Sequence, residues 1–345
     1  MMSQMVKEDI HWIINDENIN WDKFNESTIL ITGATGLIGS FLYNTLVTAN
    51  KKNNLNIKII CLGRNEEKLN QLESGKTFCA DLRNSDCCKN LPDKVDYIFH
   101  CAAVTKSSEM IADPTGVILS SVYGTDNILK YAVKCCCRGF VFLSSMEVYG
   151  QADLPEIREN ELGYIDLTNV RSCYPESKRL CENLCISYMK QFDVPVKIAR
   201  LAQTFGAGTP IDDTRVFAQF ARSAMENKDI ILHTDGSSRG NYCYLSETVL
   251  GLFYILLKGQ KGEIYNVANT EASCTIREMA ETVAKEISGR INVIIEDEDK
   301  LKSAMYAPKT AYRLNTDKLK ALGWESHIGI KEMYERLIHD WRERE

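Results

Sequence analysis

From Thr28 onward, short runs of apolar residues alternate with stretches whose apolar positions recur every three or four residues. Strand-like runs fall at 29–31, 57–62, 95–99, 140–143 and 196–199, and helix-like stretches at 37–49, 66–72, 117–134 and 178–190. Strands that are apolar throughout and separated by helix-length crossovers are covered on both faces. The pattern therefore predicts an α/β fold over residues 28–204, a doubly wound parallel sheet of the Rossmann type. Beyond Thr204 the rhythm loosens into loops at 206–214 and 234–241, with helices expected at 215–227 and 276–287. Residues 205–345 are expected to form mainly a smaller, substrate-binding lobe, with some segments returning to the first domain. Residues 1–27 read as a helical extension carrying Ile10, Ile13, Ile14 and Trp21 among acids and amides. Such a stripe docks on a partner subunit or, the simpler outcome, on its own domain. No fixed-period repeat and no low-complexity linker separates the lobes, so they are expected to share a cleft.

Composition narrows this picture little. The 345 residues are 44% hydrophobic and 26% charged, with a formal net charge of -6, which is ordinary globular usage without a basic stripe for a nucleic-acid polymer. The thirteen cysteines are odd in number and fall within strand-like and helix-like segments, which fits a reducing compartment better than a disulfide scaffold. Cys135, Cys136 and Cys137 lack paired metal-ligand spacing, and Cys181 with Cys185 has no nearby histidine pair, so no structural metal is expected. Residues 1–9 hold no apolar core of a secretory signal, and the longest apolar run, at 249–257, is too short to span a bilayer. A cytoplasmic protein without a membrane partner is the expectation.

Chemistry concentrates in two constellations. Gly33, Thr35, Gly36, Leu37, Ile38 and Gly39 form a Gly-x-x-Gly-x-x-Gly turn between the first strand and the first crossover helix. Small residues let the backbone approach a pyrophosphate there, and the free N–H groups of the helix start supply the positive pole. After the second strand, where an acid selects NAD and a base accommodates the 2′-phosphate of NADP, the chain reads Gly63-Arg64. That leans toward NADP, unless Arg64 is a solvated turn residue. Asp81 and Leu82 follow a further short strand and are placed near the adenine; Ala102 and Ala103 end the fourth strand with small side chains against the cofactor. His100 reads as a core histidine.

The second constellation is Ser145 and Glu147 after the fifth strand, with Tyr174 and Lys178 four apart on the next helix. In an open parallel sheet both segments reach the carboxyl edge, where ligands bind. On one helical face the Lys178 ammonium is expected to draw the Tyr174 phenol down from about 10 towards neutrality, making it a base, while Ser145 hydrogen-bonds the same substrate oxygen. Tyr-x-x-x-Lys alone occurs on many helices; the glycine turn upstream gives it meaning.

Together these motifs resemble the extended short-chain dehydrogenase/reductase superfamily, within it the nucleotide-sugar epimerase/dehydratase family, over about residues 28–324. Arg200 to Gly206, Tyr242 to Leu245, Glu263 to Val267 and Leu319 to Trp324 are similar to its later signatures. Arg171 to Tyr174, Lys178-Arg179 and Asp213 to Val216 look most like UDP-glucuronate decarboxylases. The resemblance implies an NAD(P)-dependent enzyme that oxidises a nucleotide-diphosphate sugar at C4 to a 4-keto intermediate. Loss of a C6 carboxylate, C4 epimerisation by rotation of the keto sugar, or C5 epimerisation by a base such as Glu147 would follow. It also implies substrate contacts from Glu147, Gln203, Arg215, Val216 and Arg239, retention of NAD, and a homodimer formed through the helices at 117–134 and 174–190. A one-way NADP-dependent 4-keto-sugar reductase is the alternative that Arg64 favours, and a non-catalytic dinucleotide sensor would not need Ser145, Tyr174 and Lys178 together. The chain departs from the family pattern at four places. Met146 stands where 4,6-dehydratases carry an aspartate and cannot protonate a leaving hydroxyl; Gln203 and Ser121 replace asparagines; and Arg239 precedes by one residue, at Gly240, the usual diphosphate arginine.

Overall fold

The fold is that of a computed structural model describing residues 2–296 and 309–345; within the expected segments 1–27 and 205–345, residues 1 and 297–308 lie outside it. Seven strands form one parallel sheet in the order β11-β7-β5-β4-β1-β2-β3. They are β1 (Thr28–Thr32), β2 (Lys58–Gly63), β3 (Lys76–Cys79), β4 (Tyr97–His100), β5 (Gly139–Ser145), β7 (Val196–Leu201) and β11 (Ile264–Val267). The apolar runs become strands because both faces are covered. Ile29, Ile31, Phe99 and Val141 point into one cluster, and Leu30, Ile60, Ile98 and Phe140 into the other. Helices α2 (Leu37–Asn53) and α8 (Leu245–Lys258) cover the first face, and α5 (Pro114–Cys135) and α6 (Cys173–Phe192) the second. The apolar run at 249–257 is thus part of a core helix, and no described helix is long and apolar enough to cross a membrane.

Of the seven strands, β3 is the short strand expected before Asp81, and β11 is the one the pattern did not mark. β3 carries Lys76 and Thr77 at the sheet edge and is only half covered, so it lacks the continuous apolar signature of a buried strand. β11 arrives from beyond residue 205 and pairs with β7, placing Ile264 opposite Ile198 and Val267 opposite Leu201. The order of the sheet reverses between β1 and β4, which opens a crevice at their carboxyl ends.

The N-terminal helix α1 (Gln4–Ile14) begins at Ser3, whose hydroxyl accepts the Val6 N–H at 3.2 Å. Its apolar stripe docks on its own domain. Ile10, Ile13 and Ile14 are buried in the same cluster as α2 and α8, and Trp21 and Phe24 pack edge-to-face against Phe253 at 5.0 and 6.0 Å between ring centroids. A second core joins β8 (Gln203–Phe205), β10 (Arg239–Tyr244) and β12 (Asn269–Thr275) to α7 (Val216–Glu226), α9 (Ile276–Thr282) and the C-terminal helix Ile330–Arg344. The loop from Gly206 to Thr209 is tied to both ends of the chain. Tyr244 donates its hydroxyl to Asp9 of α1 at 2.6 Å and accepts the Ala207 N–H at 3.2 Å, while Asp340 accepts the Gly208 N–H at 2.8 Å.

Candidate active site

The glycine turn sits in the crevice at the end of β1. Gly33 has φ +67°, and a Cβ there would press to 2.8 Å from the Ala102 backbone at the end of β4. A Cβ on Gly39 would reach 2.2 Å from the Gly33 carbonyl, so this glycine sets the close approach of helix to turn. Gly36 is the start of α2 and has no side-chain cap; apart from the Gly33 carbonyl at 3.4 Å, its Cβ position faces open space. Uncapped N–H groups at the start of a seventeen-residue helix, in front of a space held open by glycine, fit the pyrophosphate of a dinucleotide. Thr35, Leu37 and Ile38 are half-buried around it, and Ala102 and Ala103 lie at the mouth. Asp81 follows β3 and is held by Arg83, whereas the Leu82 side chain is buried in the core against Gly124 and its carbonyl accepts from the Asn127 amide at 2.8 Å. His100 is a satisfied core residue between the hydroxyls of Thr32 at 2.7 Å and Thr125 at 3.2 Å; burial, helped by the charge of Lys178, lowers its pKa to about 3.

Ser145 ends β5 and its hydroxyl accepts the Glu147 N–H at 3.2 Å, which turns the chain into a short 3₁₀ segment, Met146–Tyr149. Behind it the strand end is braced. Ser144 donates to Glu182 at 2.5 Å, and Arg200 grips both oxygens of the same carboxylate at 2.9 and 2.7 Å. Tyr174 and Pro175 occupy the first turn of α6, where proline sacrifices no helical hydrogen bond. Lys178, one turn later, is buried and donates to the Leu143 carbonyl at 2.7 Å, with its ammonium 6.0 Å from the Tyr174 ring centre. Ser145, Glu147, Tyr174 and Lys178 therefore meet where β5 and α6 reach the crevice.

One expectation is corrected. Lys178 does not bring the Tyr174 phenol towards neutrality: burial, with the charge of Glu147 added, pushes it well above its ordinary value. The Ser145 hydrogen bond and the charges of Arg171 and Arg215 pull the other way without overcoming burial. The reason is geometric, since the ammonium is committed to the Leu143 carbonyl and its own pKa is lowered by burial. Arg171 is the functional candidate to which the sequence reading assigned no role. It sits on the turn Val170–Ser172 before α6, is 7% exposed, grips Glu147 through Nη2 at 3.0 and 2.9 Å, and leaves Nη1 buried without a partner. An arginine three residues before the tyrosine was visible, but its pairing with Glu147 was not.

The expected substrate contacts separate. Arg215 is paired with Asp213 at 2.6 Å and lies over the Phe217 ring at 4.6 Å, and its charge reaches Tyr174. Val216 and Gln203 are exposed at the starts of α7 and β8. Arg239 instead donates to the Ser273 carbonyl at 2.9 Å and lies 3.7 Å from Glu278, and none of these contacts is with the Tyr174 cluster. No side chain fits at Gly240, where a Cβ would come within 2.3 Å of the Tyr242 hydroxyl. Met146 is buried in the main core, away from any proton-donating role. Among the described residues no group of histidines, cysteines or acids is arranged to hold a metal ion.

Residues 29–268 match the model of the NAD-dependent epimerase/dehydratase family. UDP-glucuronic acid decarboxylase 6 of Arabidopsis thaliana is 30% identical over 93% of this chain and 91% of its own, and decarboxylase 3 of the same plant is 31% identical over 92% and 89%. Among solved structures, the Thermotoga maritima UDP-glucose 4-epimerase superposes with a TM-score of 0.78 at 20% identity, covering 92% of this chain and 99% of its own. The Streptomyces venezuelae dTDP-glucose 4,6-dehydratase, solved with NAD bound, superposes at 0.77 with 21% identity over 92% and 97%. At that identity the likeness speaks for the fold; the family match and the decarboxylase relatives speak for descent. The chain belongs to the NAD-dependent epimerase/dehydratase family of nucleotide-sugar enzymes.

Proposed function

We propose that the protein oxidises a nucleotide-diphosphate sugar at C4 and that the resulting ketone activates loss of a C6 carboxylate from a uronate. The observation that carries this reading is the convergence of Tyr174, Ser145 and Lys178 with the Glu147–Arg171 pair at one edge of the crevice. A nicotinamide dinucleotide on the glycine turn would supply the hydride acceptor. Tyr174, as the phenolate that the Ser145 hydrogen bond and the charges of Arg171 and Arg215 favour against burial, takes the proton of the C4 hydroxyl; Ser145 hydrogen-bonds the same oxygen as it becomes a carbonyl, and Lys178 braces the strand end through the Leu143 carbonyl. With a ketone at C4 the C5–C6 bond breaks, its electron pair is delocalised onto the ketone oxygen, carbon dioxide leaves and C5 takes a proton. Glu147, steered by Arg171, stands ready to handle that proton. The buried Met146 supports this sequel over dehydration, which needs an acid at its place. The decarboxylase relatives support it too.

The test is incubation with a panel of nucleotide sugars that includes UDP-glucuronate, with products read by mass spectrometry. Loss of carbon dioxide supports the reading; loss of water, or an unchanged mass with an inverted carbon seen by NMR, overturns it in favour of a dehydratase or an epimerase. The second reading, an NADP-dependent 4-keto-sugar reductase, is favoured by Arg64 and requires stoichiometric reduced cofactor, whereas the first needs none. We further propose a homodimer paired through α5 and α6, whose Leu119, Tyr123 and Leu180 are exposed.

A further inference from the structure

At the end of β2, Gly63 occupies the position from which an NAD-selecting Rossmann domain extends a carboxylate to the ribose 2′-hydroxyl. The backbone does not demand glycine there. Gly63 is not among the residues with positive φ, and a Cβ on it would meet Leu69 at 3.5 Å and the Thr35 hydroxyl at 3.6 Å, both ordinary contacts. The missing side chain is therefore a gap that the fold could fill. Arg64 follows it, exposed, and its guanidinium makes no hydrogen bond or ion pair among the described residues. The nearby acid is already engaged: Asp81 accepts from Arg83 Nε at 3.1 and 2.9 Å, from Nη2 at 2.6 Å and from the Arg83 backbone N–H at 2.9 Å. Two guanidinium groups thus stand against one committed carboxylate. Among the described residues a 2′-hydroxyl finds no free carboxylate in this corner, whereas a 2′-phosphate finds a planar donor fork that makes no hydrogen bond or ion pair.

We propose that the site selects the 2′-phosphorylated dinucleotide NADP(H), with Arg64 pairing with the 2′-phosphate and Gly63 supplying the gap that admits it. The proposal rests on the glycine turn being a dinucleotide site and is independent of which reaction follows oxidation at C4. Arg64 and Gly63 act as specificity-determining residues.

The test is direct binding, with NADP⁺ and NAD⁺ titrated separately into the full-length wild-type protein and its variants by isothermal calorimetry, and thermal melting confirming that each variant is folded. The wild type is expected to bind NADP⁺ at least about tenfold more tightly than NAD⁺, an advantage that shrinks as salt screens the pair. Arg64→Ala should weaken NADP⁺ by about ten- to a hundredfold, as loss of a charge-assisted hydrogen bond does, while NAD⁺ changes little. Arg64→Lys keeps the charge without the fork and should fall between the two. Gly63→Asp, whose Cβ meets only ordinary contacts, should invert the preference. Tighter binding of NAD⁺ by the wild type, or an NADP⁺ affinity indifferent to Arg64→Ala, overturns the proposal alone. Binding of neither dinucleotide overturns it together with the reading of the glycine turn.

Discussion

Tyr174 is the side chain on which the proposed chemistry turns, and its surroundings make a pH argument. A phenol that acts as a base is competent when deprotonated, so turnover should rise with pH through its apparent pKa. Arg171 stabilises the phenolate and Glu147 opposes it. Arg171→Met removes the stabilising charge and leaves the Glu147 charge uncompensated, so the rising limb should move to higher pH. Glu147→Gln should move it lower. A pH–rate profile of each variant checks the directions, and coincident limbs would refute the electrostatic assignment. Tyr174→Phe should cost roughly 10²- to 10⁴-fold in kcat while leaving dinucleotide affinity near the wild-type value. Ser145, Tyr174 and Lys178 were legible in the sequence because their geometry is local, one strand end and one turn of one helix. Glu147 and Arg171 are 24 positions apart along the chain, and the upward shift of the phenol comes from burial by the whole fold. Neither follows from spacing.

At the scale of elements, α1 shows how a pattern with two readings is resolved. Its stripe suits a partner or, more simply, its own domain, and the core on α2 and α8 shows that it takes the simpler course. Ile13 is fully buried, so Ile13→Ala should destabilise the protein by about 2–5 kcal/mol, measurable by urea denaturation at fixed pH. A much smaller loss would mean that α1 is not integral to the domain core. The long helices α5 and α6 present the opposite case, with apolar residues left uncovered on one chain. If the proposed dimer forms there, Leu180→Glu should yield a monomer by light scattering with its circular dichroism unchanged. β3, legible only as a short strand before Asp81, is faint in the sequence for a reason that applies to sheet edges generally. A strand covered on one side and solvated on the other carries neither a continuous apolar run nor, at four residues, enough length for alternation to register.

Across the whole molecule, two buried carboxyl groups set a pH dependence of stability. Burial pushes Glu247 up to about 7 and Asp9 up to about 6, although Glu247 accepts the backbone N–H groups of His327 and Ile328 and Asp9 is paired with Tyr244 and Arg336. Each holds a proton in the folded protein that the unfolded chain has already released above its ordinary value near 4. Their contribution to stability is therefore complete at low pH and lost as pH rises through the folded values. Glu247→Gln keeps an acceptor oxygen for both N–H groups and removes the titration. Its stability relative to wild type should improve between pH 5 and 8 by on the order of 1–3 kcal/mol, read from urea unfolding at both values. An equal loss in the two proteins would assign the pH dependence elsewhere.

The sequence alone determined the alternation of strands and helices, the glycine turn and the Ser–Tyr–Lys constellation. Each is written in residues near one another along the chain, where periodicity and helix geometry act directly. The tertiary structure decided the rest. It returned β11 to the edge of the first sheet, set α1 on its own core, joined Arg171 to Glu147, turned Arg239 toward Ser273 and left the Arg64 guanidinium without a hydrogen bond or ion pair among the described residues, beside an engaged Asp81. These are matters of which distant groups share a volume from which water is excluded. Burial and charge pairing in that volume, and not the identity of any one residue, fix what Tyr174 and its neighbours can do.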